Sequence, residues 1–262
     1  MGNIIEAKKR IEEAALLEQK SLRLDSLELT MEEIDELILL IHSKLPGIQK
    51  LLLSNNDCEW LPDTIGKLKS LEEISLSHNR LKELPDTIAD LENLQGLYLH
   101  HNELMGLPDS IENLNKLDRL EVTHNQLTQL PNNIGNLKSL ENLHLSENQL
   151  TKLPPTIGVL NSLRCLDVSN NRLTQLPPTI VGLKNLYCLD LSNNQLTQLS
   201  PAIGNLESLE YLFITDNKLD QLPDTIGNLE NLICLNASGN FLKEFPDTMD
   251  NLFKIMADRE NE

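Results

Sequence analysis

Apolar and polar positions along this chain recur in one frame of 23 residues. Asn56, Asn79, Asn102, Asn125, Asn148, Asn171, Asn194, Asn217 and Asn240 mark it, and around each stands the pattern L-x-x-L-x-L-x-x-N-x-L-x-x-L-P, with few substitutions. One copy reads Leu140, Leu143, Leu145, Asn148, Leu150, Leu153, Pro154; the next reads Leu163, Leu166, Val168, Asn171, Leu173, Leu176, Pro177. Nine copies in register without an insertion establish an internal repeat ahead of any local reading. The L-x-L segment alternates with period two and predicts a short strand, its leucines inward and the residues between them outward. The asparagine falls where the chain must leave the strand direction. Its amide can satisfy the backbone groups of that turn, and a stacked column of amides would tie successive coils together. The L-P step then opens a return segment, because proline fixes φ and has no N–H. The spacing of Ile134, Leu137 and Leu140 predicts a helical or 3₁₀ stretch there. A single coil cannot bury its own leucines, so stability must come from stacking. Each well-buried leucine gives about 1.5 to 3 kcal/mol of gross hydrophobic gain, set against chain entropy.

An open stack exposes its core at both ends, which requires caps. Residues 3–20 place Ile4, Ile5, Ile11, Ala14, Ala15 and Leu17 among charges and predict an amphipathic helix. Leu22, Leu24, Leu27 and Leu29 then make an atypical strand turn, with Leu27 in the asparagine place. Thr30-Met31-Glu32-Glu33 matches a capping box, and Ile34, Leu37, Ile38 and Ile41 carry a second helix to about Lys44. The expected organisation is a helical cap over 1–47, nine repeats over 48–247, and a cap and tail over 248–262. In that tail Met249, Leu252, Phe253 and Met256 would cover the last coil.

The frame, with segments such as LPDTIGNLENL and LPPTIGVLNSL, resembles the leucine-rich-repeat family, in its 23-residue class, over about residues 48–247. Such repeats occur in Ras-binding animal scaffolds, plant intracellular proteins and many bacterial proteins, secreted effectors of intracellular pathogens among them. The resemblance implies an α/β fold: a leucine-rich-repeat solenoid, a curved horseshoe with a parallel sheet on its concave face, used for protein binding. Cys58 in a leucine place, Ser200 in place of a proline, and Ala237 at a strand position depart from the pattern and bear on packing alone.

Composition narrows the use of this scaffold. A net charge of −18 opposes nucleic-acid binding, which draws most of its affinity from basic patches, and equally opposes anionic membrane surfaces. No apolar run reaches the roughly 18 residues of a membrane span, and charges interrupt the amino-terminal segment where a signal peptide would have its apolar core. Met1-Gly2 opens like a myristoylation site, but that motif wants Ser or Thr where Glu6 stands. Four separated cysteines give neither a disulfide framework nor a zinc-finger spacing, so a reducing compartment is expected.

With the frame assigned, the outward residues are free to bind. The strand columns hold Glu72, Glu73, Asp118, Glu121, Glu141, Glu147, Asp167, Asp190, Glu210 and Asp216 against Lys50, Arg119 and Arg164, an acidic face that suits either plain solvation or a partner with a basic surface. Among few aromatics, Tyr98, Tyr187, Tyr211 and Phe213 project outward, and the last three fall on adjacent coils. Interface anchoring and local packing between strands both fit them. His78, His101 and His124 share a column, with His100 and His144 nearby, but parallel side chains rarely converge on a metal. Cys165 and Cys188 are stacked in another column, as free thiols by expectation, since adjacent parallel strands seldom offer disulfide geometry.

The expected binding site is therefore Tyr187, Asp190, Tyr211 and Phe213, edged by Asp167 and Asp216, with Tyr98, Glu121 and His144 as further candidates. No catalytic site, metal or cofactor is called for. The leading reading is a monomeric, non-catalytic protein-binding module or adaptor, of the kind found in bacterial effectors that act on host proteins. The alternative is the recognition subunit of an enzyme or signalling complex whose catalytic domain lies on another chain. Only a short tail follows the last repeat and no G-x-x-x-x-G-K-S/T loop is present, so a fused ligase or GTPase domain is not expected. The expected location is the cytoplasm, or a host cell reached by a route without a cleaved amino-terminal signal.

Overall fold

Each L-x-L segment gives a three-residue strand centred on its first leucine in the computed structural model, which describes residues 2–249. The chain forms two units, divided between Leu127 and Thr128. In the first, helix α1 (Gly2–Leu16) leads into β1 (Ser21–Arg23) and α2 (Met31–Lys44). There follow β2 (Lys50–Leu52), β3 (Glu73–Ser75), β4 (Gly96–Tyr98) and β5 (Arg119–Glu121). The second holds β6 (Asn142–His144), β7 (Cys165–Asp167), β8 (Cys188–Asp190), β9 (Tyr211–Phe213) and β10 (Cys234–Asn236). Within each unit neighbouring strands pair in parallel, in chain order: Lys50 faces Glu73 and Glu73 faces Gly96 in the first, while Cys165 faces Cys188 and Cys188 faces Tyr211 in the second. An insertion-free period of 23 fixes this register, since a slip of one residue would turn every strand leucine outward. The atypical turn of the cap joins the sheet too, Ser21 pairing with Lys50.

The return segments are short 3₁₀ helices, for example Asp63–Lys67 and Asp86–Asp90 in the first unit and Pro155–Val159 and Pro201–Asn205 in the second. Pro62, Pro85 and Pro154 enter them with φ near −70°, and Ile65, Ile88 and Ile157 are buried beneath. Too few residues separate the proline from the next leucine for an α-helix to develop. Where Ser200 replaces the proline, its side chain accepts the Ala202 N–H at 3.2 Å and opens the segment instead. Adjacent returns pack closely: a Cβ on Gly158 would collide with the Thr179 carbonyl oxygen.

The asparagine column holds the coils together. Asn194 Nδ2 donates to the Val168 carbonyl one coil back, at 3.0 Å, and to its own Leu191 carbonyl, at 3.0 Å. Its Oδ1 accepts the Leu173 N–H at 2.9 Å. Asn79 does the same with Leu53, Leu76 and Cys58. Each amide thus serves the coil before it as well as its own. At the first turn, where Leu27 stands in the asparagine place, Asn56 Oδ1 accepts from the Leu27 and Leu29 N–H groups. A second set of rungs, unread in the sequence, runs along the returns, where Thr156, Thr179 and Thr225 hydroxyls donate to the carbonyls of Asn132, Pro155 and Pro201, each at 2.6 Å.

At the amino-terminal end α1 buries Ala7, Ile11 and Ala14, and α2 buries Ile34, Leu37, Ile38 and Ile41. The capping box forms: Thr30 Oγ1 accepts the Glu33 N–H and Glu33 accepts the Thr30 N–H. Cys58, buried in its leucine place, has its thiol pushed up to about 12 by desolvation. In the last coil Leu235, Ala237 and Leu242 are half-exposed and Met249 is buried; Leu252, Phe253 and Met256 lie outside the described residues. Among the described residues no helix is long and apolar enough to cross a membrane.

Candidate functional site

In the second unit the strand frame sets outward side chains side by side. His144, Asp167, Asp190 and Phe213 form one row across β6 to β9, and Cys165, Cys188, Tyr211 and Cys234 another across β7 to β10. Tyr187, just before β8, reaches the ring of Tyr211, with centroids 5.1 Å apart and planes tilted by 55°. Its hydroxyl interaction with Tyr211 pushes the Tyr187 phenol up to about 12, so Tyr187 is neutral at physiological pH. Tyr187 is 38 % exposed, whereas Tyr211 and Phe213 are half-buried by their strand neighbours. Beside Tyr187 a shallow groove of about 510 Å³ is lined by Glu141, Ser162, Arg164, Asn185, Ser208 and Glu210, so a lone cation sits between carboxylates.

Asp167 and Asp190 correct the expectation that outward residues leave the backbone alone. Their Oδ1 atoms accept the Ser169 and Ser192 N–H groups, each at 2.9 Å, and so fasten the chain as it leaves the strand. Asp216 is exposed at a left-handed position, φ 50°. That conformation recurs at His78, His101, His124, Asn170 and Asn193, with φ between 52° and 55°. The side chains there are polar because Asn, Asp and His tolerate this region better than branched apolar residues. The frame shows this only as a column of polar residues ahead of the asparagines from Asn56 to Asn217, followed by Gly239 ahead of Asn240.

The first unit holds Tyr98 and Glu121 as register partners on β4 and β5. Tyr98 folds back over Gly96, where an added Cβ would lie 2.9 Å from the ring, so this tyrosine is partly spent on its own strand. Burial, and then Glu73, raise its phenol above the ordinary value. Glu73 itself is paired with Lys50, which tempers the acidity of this part of the face. The histidines stack: His101 lies 4.3 Å from His78 and 4.0 Å from His124 between ring centroids, and His100 packs edge-on against His78 at 5.2 Å. Stacked rings direct their nitrogens along parallel planes. Among the described residues no group of three or more His, Cys, Asp or Glu side chains is placed to hold a metal ion.

Two family models match this repeated frame, a leucine-rich repeat region over residues 73–148 and 130–196 and a leucine rich repeat over 184–242. The chain belongs to the leucine-rich-repeat family. Leucine-rich-repeat structures of bacteria and plants resemble it. YopM from Yersinia enterocolitica is 31 % identical with a TM-score of 0.69, the match covering 92 % of this chain and 47 % of YopM. The functional domain of InlJ from Listeria monocytogenes, which includes a cysteine ladder, is 25 % identical with a TM-score of 0.72, covering 87 % of this chain and 46 % of that one. The Arabidopsis receptor kinase HAESA, in complex with the peptide hormone IDA and the co-receptor SERK1, is 28 % identical with a TM-score of 0.72, covering 86 % of this chain and 39 % of HAESA. The chain thus spans less than half the length of each of these three. No curated protein matches it by sequence. Leucine-rich-repeat families are in general binding modules without catalysis, and their fold commonly mediates contacts between proteins.

Proposed function

We propose that this leucine-rich-repeat protein binds a partner protein through the sheet face of its second unit, with Tyr187, Tyr211 and Phe213 as anchors. The observation that carries the reading is the tyrosine pair with Phe213 beside it. Three aromatics gather on adjacent coils at places the leucine frame does not use, in a chain only 3 % aromatic. Rigid amphipathic rings of this kind dominate interface energetics. Asp190, Asp167 and Asp216 give the patch a negative rim that favours a basic partner surface, and His144, Glu121 and Tyr98 extend the candidate surface at lower weight. The HAESA complex, in which a protein of this fold holds a peptide hormone and a co-receptor, supports a protein or peptide partner. The likeness to YopM supports a bacterial protein, and we read it as an adaptor or effector acting on host proteins.

The test is capture of partners with the wild-type chain beside Tyr211→Ala and Phe213→Ala, followed by titration of the partner found, with circular dichroism to confirm folding. Tyr211→Ala should weaken binding by about 2 kcal/mol or more. Asp190→Asn keeps an acceptor for the Ser192 N–H, as Asn236 does for Ser238 on β10, so it should remove charge without loosening the turn. It should slow association and flatten its salt dependence. Full-strength binding by all three folded variants would overturn the assignment.

A further inference from the structure

Cys165 and Cys188 open β7 and β8 as register partners, both half-exposed, both free, and both on the face opposite the buried Leu166 and Leu189. Neighbouring strands lie about 4.7 to 4.9 Å apart. In-register parallel strands hold two such side chains abreast at close to that spacing. A disulfide wants its Cβ atoms about 3.8 Å apart and its sulfurs at about 2.05 Å, which would require drawing the strands together. Two metal–sulfur bonds of about 2.3 Å laid end to end span about 4.6 Å, the spacing the sheet already provides. We propose that Cys165 and Cys188 form a two-coordinate thiolate site for a soft monovalent cation, of which copper(I) is the type.

The surroundings select this ion class. Zinc, calcium and magnesium need more ligands than two, and among the described residues no larger group of metal-binding side chains assembles. Soft thiolates prefer copper(I). Asp167 and Asp190 stand two residues along on the same face, but their Oδ1 atoms are engaged with Ser169 and Ser192, so they act as a negative field that draws a cation and repels anionic thiols. Cys234 lies beyond Tyr211 in the same row, which separates it from the pair. Both thiols face outward in register on adjacent strands, so an arriving metal meets them together and displaces a proton from each. One cation and two thiols give a bis-thiolate complex of single negative charge and two protons, with no change of oxidation state. Affinity should therefore rise with pH.

The experiment uses the reduced full chain under anaerobic conditions, titrated with copper(I) supplied as its acetonitrile complex against a chromophoric copper(I) chelator. The expected result is one tightly held copper(I) per chain with release of protons. Cys165→Ser and Cys188→Ser should each weaken it by about a hundredfold, because the second thiolate acts at high effective concentration, and Cys234→Ser should leave it unchanged. X-ray absorption of the wild-type complex, which needs no variant, should find two sulfur ligands and no others. Equal small losses from all three cysteine substitutions would mean independent thiols and overturn the site. So would three or more ligands at the metal, or ready formation of a Cys165–Cys188 disulfide under a mild thiol oxidant. None of these outcomes bears on the aromatic patch, whose test is separate.

Discussion

At the scale of single residues, two side chains carry most of what can be tested. Asn194 bonds three buried carbonyls, of Val168, Leu191 and Ser192, and one buried N–H, of Leu173, so Asn194→Ala should cost about 2 to 3 kcal/mol, read as a lower urea midpoint. An unchanged midpoint would show that solvent or a shifted backbone replaces the amide. His100 is held below the ordinary histidine value by burial first and then by His78, His101 and His124. The folded state therefore binds its proton less readily than the unfolded chain does, and stability is lost as pH falls below about 6.5 toward the depressed folded value. His100→Gln should flatten the pH dependence of the urea midpoint in that window. A slope identical to wild type would assign it to carboxylates instead. The asparagines could be read from the sequence because each returns at a fixed period beside a turn. The inward duty of Asp167 and Asp190 could not, since an aspartate two residues before a serine is indistinguishable on paper from a solvated one.

Among the elements, the strands, their register and the amino-terminal cap of α2 were all legible, because period and capping chemistry are local signals. Thr30→Ala removes one half of the capping box and should lower stability by about 1 kcal/mol, seen in the same urea assay. The returns were legible as short helical turns but their close packing was not, since a glycine in the sequence does not say what approaches it. Gly158→Ala should cost about 1 to 3 kcal/mol, because the obstacle is a backbone carbonyl that cannot rotate aside. A neutral effect would mean that the return between Thr156 and Leu160 can shift outward freely. The folding of Tyr98 onto Gly96 had a signal that was available and unused: residues two apart on a strand share a face, and the smaller of the pair was glycine.

For the molecule as a whole, charge and repeat set the terms. A net charge of −18 should make association with a basic partner faster at low ionic strength and steeply slower as salt is raised, a dependence a stopped-flow series at graded salt would measure. A flat series would place the binding energy in the aromatic patch alone. The family was legible from the frame, and the partner was not, because the frame constrains inward residues and leaves the outward ones to a surface that is not on this chain. The backward reach of the asparagine amides also gives the molecule a direction in time. As the chain leaves the ribosome, the turn at Leu173 stays one bond short until Asn194 emerges 21 residues later, and the same lag separates Leu150 from Asn171 and Leu196 from Asn217. Each coil is finished only by its successor. A nascent chain halted between Asn171 and Asn217 would therefore display the same incomplete turn at its newest coil, wherever it stopped.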